Sequence, residues 1–314
     1  MSKEILKEID VDLIDRNPEN PRIIFRQDEL YQLTESIKKL GVQVPVVVYK
    51  DGDRYVLIDG ERRWRCSIKL NLKKIPALVQ DKPDRLSNLL MMFNIHALRE
   101  QWDLLTISFK LPSIIDLLKE KNNNKNPTLK EISAETGLGV GVINRCKLLM
   151  VMPEEYKQII LKELAKPKTS QKFTEDFFIE MERALKTVER AMPELINQIS
   201  KEKMREVLIS KFKDGTITNR VDFRQIGKIA RAEKVSADPA KAFQVLEKLF
   251  DNNKFSIEEA FETSVAHAYG EHNILIRIRS LKEQLNQFES DEIDEELAKE
   301  LKDLIITISE ALGD

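Results

Sequence analysis

Eight residues, Asp59 to Cys66 (DGERRWRC), constrain this chain more than any other stretch. An alternating run, Tyr55-Val56-Leu57-Ile58, precedes them and reads as a strand, while Trp64, Ile68 and Leu72 follow four apart and read as the apolar stripe of a helix. The spacing predicts a strand, a tight turn at Gly60 and a helix whose first turns carry three arginines. Such a helix start offers unpaired N–H groups and the positive end of the helix dipole to an anion, and glycine allows the anion close to the backbone. Arg62 and Arg65 are three apart and share a face, whereas Arg63 points elsewhere. Guanidinium is a planar, permanently charged fork suited to phosphate oxygens. Glu61 in the first turn complements the dipole and is placed to fix one arginine. The competing reading is a solvated basic patch balanced by Asp53, Asp59 and Glu61, since charge runs are usually surface. The strand–glycine–helix context favours the anion site.

Composition bounds the partners. The 314 residues suffice for two or three domains, and 51 basic against 53 acidic residues leave a net charge of −2. Bulk electrostatic adhesion to nucleic acid is therefore not indicated, although a local basic site remains open. Cys66 and Cys146 are far apart, match no metal spacing and read as small buried residues of a reducing cytoplasm. No apolar run is long enough to span a bilayer, so a soluble cytoplasmic protein without membrane contact is expected.

Along the chain, Ile9 to Ile14 reads as a strand and Asn17 to Pro21 as a proline-bounded turn. Leu30, Leu33, Ile37 and Leu40 mark a helix stopped by Gly41. Val44 to Tyr49 and Tyr55 to Ile58 form a hairpin turned at Asp51-Gly52. Leu104 to Lys121 is amphipathic and interrupted by Pro112. A polar loop then leads to Thr128 and Glu131, a capping box, with Gly137 ending the helix and a second helix from about Val140. Two short helices about a glycine turn read as a helix-turn-helix over 128–150, a pattern that ordinary helical hairpins also show. Gly141, Asn144, Arg145 and Lys147 face outward on the second helix. Arg145 suits guanine or phosphate and Asn144 suits adenine, while Gly139 and Gly141 supply no side chain to a base.

At this point the residues carry a resemblance. GERRWRC, IPALV at Ile75 to Val79, NPENPR at Asn17 to Arg22 and ESIKKLGVQVPVVV at Glu35 to Val48 resemble the ParB family over roughly residues 5–165. The resemblance implies an α+β N-terminal ParB-like nucleotide-binding domain (1–90). It further implies a helical domain with the helix-turn-helix (91–165), and it implies CTP and Mg2+ as ligands. It places Gly41, Gln43 and Pro45 near base and ribose, and Gly60, Glu61, Arg62, Arg63 and Arg65 at the triphosphate. Of the family's Glu-Asn-x-x-Arg motif, Asn94 is present, Phe93 replaces the glutamate, and Arg99 stands two places late. Asn94 and Arg99 remain candidates for phosphate contact, whereas the missing glutamate leaves hydrolysis of CTP open.

Beyond Lys166 to Lys172 the family pattern ends and the chain reads as all-α. A helical domain is expected over 173–270, with Asp238-Pro239 and Ser256 to Glu259 as helix starts. An acidic helical hairpin is expected over 273–314. In it Ile274, Ile278, Leu281, Leu285 and Phe288 keep a heptad rhythm, as do Leu297, Leu301, Leu304, Ile308 and Ala311. Self-association and packing on the body stand equal as its role. The function expected is a CTP-gated, DNA-binding, dimeric protein of partition, mobile-element or regulatory type, associated with nucleoid or plasmid. An enzyme on the same fold, or a helical scaffold recruiting another protein through the C-terminal region, are the alternatives.

Overall fold

A computed structural model describes residues 5–97, 103–288 and 293–313. The chain divides into two compact units, residues 1–183 and 184–314.

The first unit is built on a mixed five-stranded sheet of order β1-β5-β3-β4-β2. Its strands are β1 (Ile5–Asp10), β2 (Ile14–Asp15), β3 (Val46–Asp51), β4 (Arg54–Asp59) and β5 (Lys74–Gln80). β3 and β4 form the antiparallel hairpin, in register Tyr49 to Val56 and Asp51 to Arg54. β5 runs parallel to β3 and antiparallel to β1, and β2 is a short parallel addition beside β4. Helix α1 (Gln27–Leu40) closes at Gly41, and α2 (Glu61–Lys69) follows β4 directly.

Alternation along the strands supplies two cores. Leu57, Val46, Val48, Ile75 and Ala77 face one side, where Trp64 and Leu72 pack against them. Val56, Ile58 and Tyr49 face the other, against α3 (Arg85–Ala97) through Leu89, Met92 and Phe93. The same cluster continues into α4 (Leu104–Lys121), α5 (Leu129–Thr136) and α6 (Val140–Met150) through Ile107, Leu111, Ile114, Ile132, Ile143 and Cys146. One apolar layer thus joins the sheet to the two-helix element, so neither moves without disturbing side chains that are close-packed. α7 (Glu154–Leu164) and the first half of α8 (Glu175–Ala191) complete the unit.

Four expectations change on contact with the structure. The strand expected at Ile9 to Ile14 lies earlier, because a 3-10 turn over Val11–Leu13 separates β1 from β2. β3 begins at Val46 rather than Val44, since the carbonyls of Val44 and Pro45 accept from Arg63 instead of joining the ladder. Ile68 is 45% exposed: α2 ends at Lys69, the chain turns through a left-handed Asn71, and Leu72 reaches the core from outside the helix. α4 passes through Pro112 without a break, although proline removes the bond to the Ser108 carbonyl. The buried Leu111 and Ile114 on either side hold it in place.

The second unit contains the remainder of α8, then α9 (Pro193–Gln198), α10 (Lys201–Lys213), α11 (Phe223–Ile229), α12 (Pro239–Asp251) and α13 (Ile257–Ser264). Asp238 accepts from the Ala240 N–H with Pro239 in the first turn, and Ser256 with Glu259 forms a reciprocal capping box. Lys211 is fully buried, and its ammonium donates to the carbonyls of Asn252 and Phe255 at 2.6 and 2.7 Å, tying the α12–α13 loop to α10. α14 (Ala266–Leu285) runs unbroken through Gly270, and α15 (Glu295–Leu312) follows. Neither has a buried residue; Ile274, Ile278, Ile305 and Ile308 are all exposed.

Glu175 carries a stability consequence. Its Oε1 accepts the Leu105 N–H at 2.6 Å at the head of α4. Burial, with a contribution from Asp103, pushes its carboxyl up to about 7 from an ordinary 4.5, against the pull of the Leu105 N–H. The unfolded chain therefore releases this proton first, and stability falls as pH rises from 4.5 to about 7. Urea titrations across that range are expected to show Glu175→Gln losing up to roughly 3 kcal/mol of this decline, the group's whole linkage contribution.

Candidate functional site

The head of α2 opens onto a cleft of about 310 Å³, lined by Asn20, Arg22, Leu33, Val44, Leu57, Ile58, Asp59, Gly60, Glu61, Arg62 and Arg63. Gly60 is left-handed, with φ +95°, and precedes the first helical residue. A Cβ there would lie 2.7 Å from Val46 Cγ1 and 3.1 Å from an Arg63 terminal nitrogen. Both conformation and space therefore require glycine.

The arginines divide by what already holds them. Arg63 is spoken for: Nη1 donates to the carbonyls of Val44 and Pro45 at 2.6 and 2.7 Å, and Nη2 to Asp59 at 2.9 Å. It fixes the mouth of the cleft to the start of β3. Arg65 donates from Nε and Nη2 to Glu61 Oε1 at 2.9 and 2.6 Å, and its guanidinium stacks 4.1 Å from the Phe25 ring centroid. Glu61 is nearly buried, and its second oxygen accepts from Asn20 Nδ2 at 2.6 Å. Arg62 and Arg22 are held more loosely, reaching the same Glu29 oxygen at 3.4 and 3.5 Å. Burial first, and then the neighbouring Arg62 charge, pull Arg22 below the ordinary arginine value. Positive charge is thus crowded where the cleft is lined, the condition under which an anion binds best.

Glu29 also pairs with Arg26 at 3.3 Å. Arg26 is buried and donates to Asp103, the N-cap of α4, at 2.8 Å and to the Leu164 carbonyl at the end of α7 at 3.1 Å. Burial opposes its charge, but the Asp103 and Glu29 carboxylates outweigh that and raise it above the ordinary value. The cleft is therefore connected by ion pairs to the helical part of the unit.

The other candidates lie apart from the cleft. Gly41 caps α1 at φ +74°, Gln43 is exposed and donates to the Leu40 carbonyl, and Pro45 contributes only its carbonyl to Arg63. Asn94 donates to the Glu135 carbonyl at 3.3 Å, and its Oδ1 sits 2.6 Å from where a Cβ on the left-handed Gly137 would be. It joins α3 to the end of α5 rather than lining the cleft. Phe93, where the resemblance expects glutamate, is fully buried in the core. Arg99 lies outside the described residues. Asn20, Arg22, Phe25 and Glu29 also belong to the site, although the strand–glycine–helix pattern does not point to them. The signal for the first two was the proline-bounded loop itself, pinned by Asn17 Nδ2 donating to Asn88 at 3.0 Å and by Asn20 Oδ1 accepting the Arg22 N–H at 2.9 Å.

The two-helix element keeps its capping box: Thr128 Oγ1 accepts from Glu131 N at 3.2 Å while Glu131 accepts from Thr128 N at 2.6 Å. Ser133 Oγ donates to the Leu138 carbonyl across the turn at 2.7 Å. On α6, Gly141, Asn144 and Lys147 are exposed, opposite the buried Ile143, Cys146 and Leu149. Arg145 is ion-paired with Asp176 of α8.

Gly60→Ala is expected to destabilise the chain by roughly 1–3 kcal/mol, from positive-φ strain compounded by the Val46 contact. The loss reads as a lower urea midpoint with an unchanged m-value.

Residues 1–94 match the family profile described as the ParB N-terminal domain. The chromosome-partitioning protein ParB of Myxococcus xanthus is 48% identical over 71 residues, 23% of this chain and 24% of that protein. The nucleoid occlusion protein of Bacillus pumilus is 29% identical over 164 residues, 51% of this chain and 53% of that protein. The C-terminally truncated ParB of Caulobacter crescentus has been solved with CTP-γ-S (TM-score 0.30, 22% identity, 57% of this chain and 92% of that one). It has also been solved with the centromeric parS site (TM-score 0.43, 20% identity, 72% and 98%). The chain spans about a quarter to a half of the length of these two curated relatives.

Proposed function

We propose, from the match of residues 1–94 to the ParB N-terminal domain, that this chain is a ParB-type nucleotide-gated DNA-binding protein of the partition, mobile-element or regulatory kind. The nucleotide is CTP, held with its phosphates in the Gly60 cleft. One observation carries the reading: Arg22 and Arg62 share a single carboxylate, Glu29, across a cleft headed by a left-handed glycine and a helix N-terminus. A triphosphate supplies the negative charge that one carboxylate does not, and the N–H groups at the head of α2 add donors. Arg63 and Arg65 hold the walls, through Asp59 and through Glu61 with Phe25. Among the described residues no cluster of three or more His, Cys, Asp or Glu offers a metal cage. A Mg2+ ion would accordingly arrive with the triphosphate and keep water and phosphate oxygens as its main ligands. Hydrolysis is not part of the proposal, because Phe93 is sealed in the core.

The α5–α6 element is the DNA-contacting part, with Asn144, Arg145 and Lys147 on or beside its open face. Lys147 suits a phosphate, and Asn144 has the amide geometry that reads adenine. The exposed isoleucines of α14 and α15 are the surface for a second copy, giving a homodimer; capture of a different protein there is the alternative. Among the described residues no helix is long and apolar enough to cross a membrane. The setting proposed is the nucleoid or a plasmid in the cytoplasm.

Equilibrium binding of CTP, ATP and GTP is expected to favour CTP, and Arg62→Ala is expected to weaken it roughly 10- to 100-fold, the loss of one charge-assisted hydrogen bond. CTP affinity unaltered by Arg62→Ala would remove the cleft from the account. Sedimentation should show Ile305→Asp with Ile308→Asp shifting the chain toward monomer while CTP affinity is kept; a wild-type monomer at all concentrations rejects the dimer.

A further inference from the structure

Arg145 is the arginine of α6, and a carboxylate already occupies it. Asp176, in the first turn of α8, forms an ion pair with its guanidinium. That turn is held in place from several sides. Glu175 accepts the Leu105 N–H at 2.6 Å, the Phe178 ring lies 6.0 Å from that of Tyr156, and the Lys172 N–H donates to Glu163 at 2.8 Å. The pair itself is not sealed, since the side chains of Arg145 and Asp176 are 33% and 43% exposed. Asn144 and Lys147, by contrast, stand exposed on the same helix. α6 thus presents an amide and an ammonium openly and holds its guanidinium back.

We propose that Asp176 is an internal stand-in for a DNA phosphate, a latch that must let go of Arg145 before α6 engages the duplex completely. The inference rests on the reading of α5–α6 as the DNA-contacting element. A carboxylate and a phosphate present the same anionic oxygen fork to a guanidinium, so one replaces the other without a change in the arginine's own requirements. The latch is weak because its partners are partly solvated, and weakness is what makes it reversible.

Exchange of one anion for another leaves a signature in salt dependence. When Arg145 leaves Asp176 for a phosphate, the DNA releases a counterion and the freed carboxylate takes one up, so the contact adds little to the slope. Without that carboxylate, the same contact adds about 0.9 to the slope of log K against log salt.

The test is a salt series of anisotropy titrations of the full chain against a short mixed-sequence duplex. Asp176→Asn is expected to bind about two- to fivefold tighter at low salt and to steepen the slope by about 0.9. Asp176→Glu, which restores the charge, keeps the wild-type values. In an Arg145→Ala background, Asp176→Asn gives no gain, so the two changes are fully coupled. Should the asparagine variant lose its folded circular-dichroism spectrum, Asp176→Ser, also at home in a first helical turn, reports the same two quantities. An unchanged affinity and slope in a chain that does bind DNA overturns the latch and leaves the DNA reading intact. An equal gain without Arg145 also overturns it, since that is a general charge effect. Binding by neither wild type nor variant overturns both.

Discussion

The cleft depends on one backbone conformation. With φ +95° at Gly60, the chain leaves β4 and enters α2 without a spacer, so the N–H groups heading the helix open directly onto the sheet's end. Val46 fills the space behind the glycine, which explains why the start of β3 and the head of α2 are a single construction. Arg63 completes it by bonding to the carbonyls of Val44 and Pro45, groups that a longer β3 would have used in its ladder. Strand, turn and helix are each ordinary; their closeness is what makes a small anion-sized hollow.

A second level of organisation is electrostatic. Glu29 touches Arg22, Arg26 and Arg62, so the cleft and Arg26 share one carboxylate. Arg26 in turn bonds to Asp103 at the head of α4, and Glu175 binds the next N–H groups of that helix. Asp176, beside Glu175, meets Arg145 on α6. Ion pairs and helix ends therefore form a continuous series from the cleft to the outer face of the two-helix element. Contiguity alone is not coupling, but the ion pairs of the series, unlike the Leu105 N–H bond to Glu175, are contacts in which a competing ion can replace one partner.

Local chemistry was legible in the residues; long-range pairing was not. The left-handed turn at Gly60, the stop at Gly41, the two capping boxes and the proline start of α12 each follow from neighbours a few positions away. Arg22 and Glu29 are 40 and 33 residues from Arg62, and no periodicity brings them to it. The pairing of Arg145 with Asp176 crosses 31 positions and depends on how α8 lies against α4. The stripe Trp64, Ile68 and Leu72 shows the opposite failure: α2 ends at Lys69, before the spacing does, so Leu72 packs from outside the helix and Ile68 is left exposed within it. Pro112 shows that a packed core on both sides of a proline can carry a helix through it.

Between Ala266 and Leu312 lie two helices in which no residue is buried. Helices of this length draw most of their stability from a packed face, and isolated ones are marginal in water. On the proposed dimer their ordering follows mass action: dilution favours coil and self-association favours helix, so that secondary structure here becomes a measure of how many copies are paired.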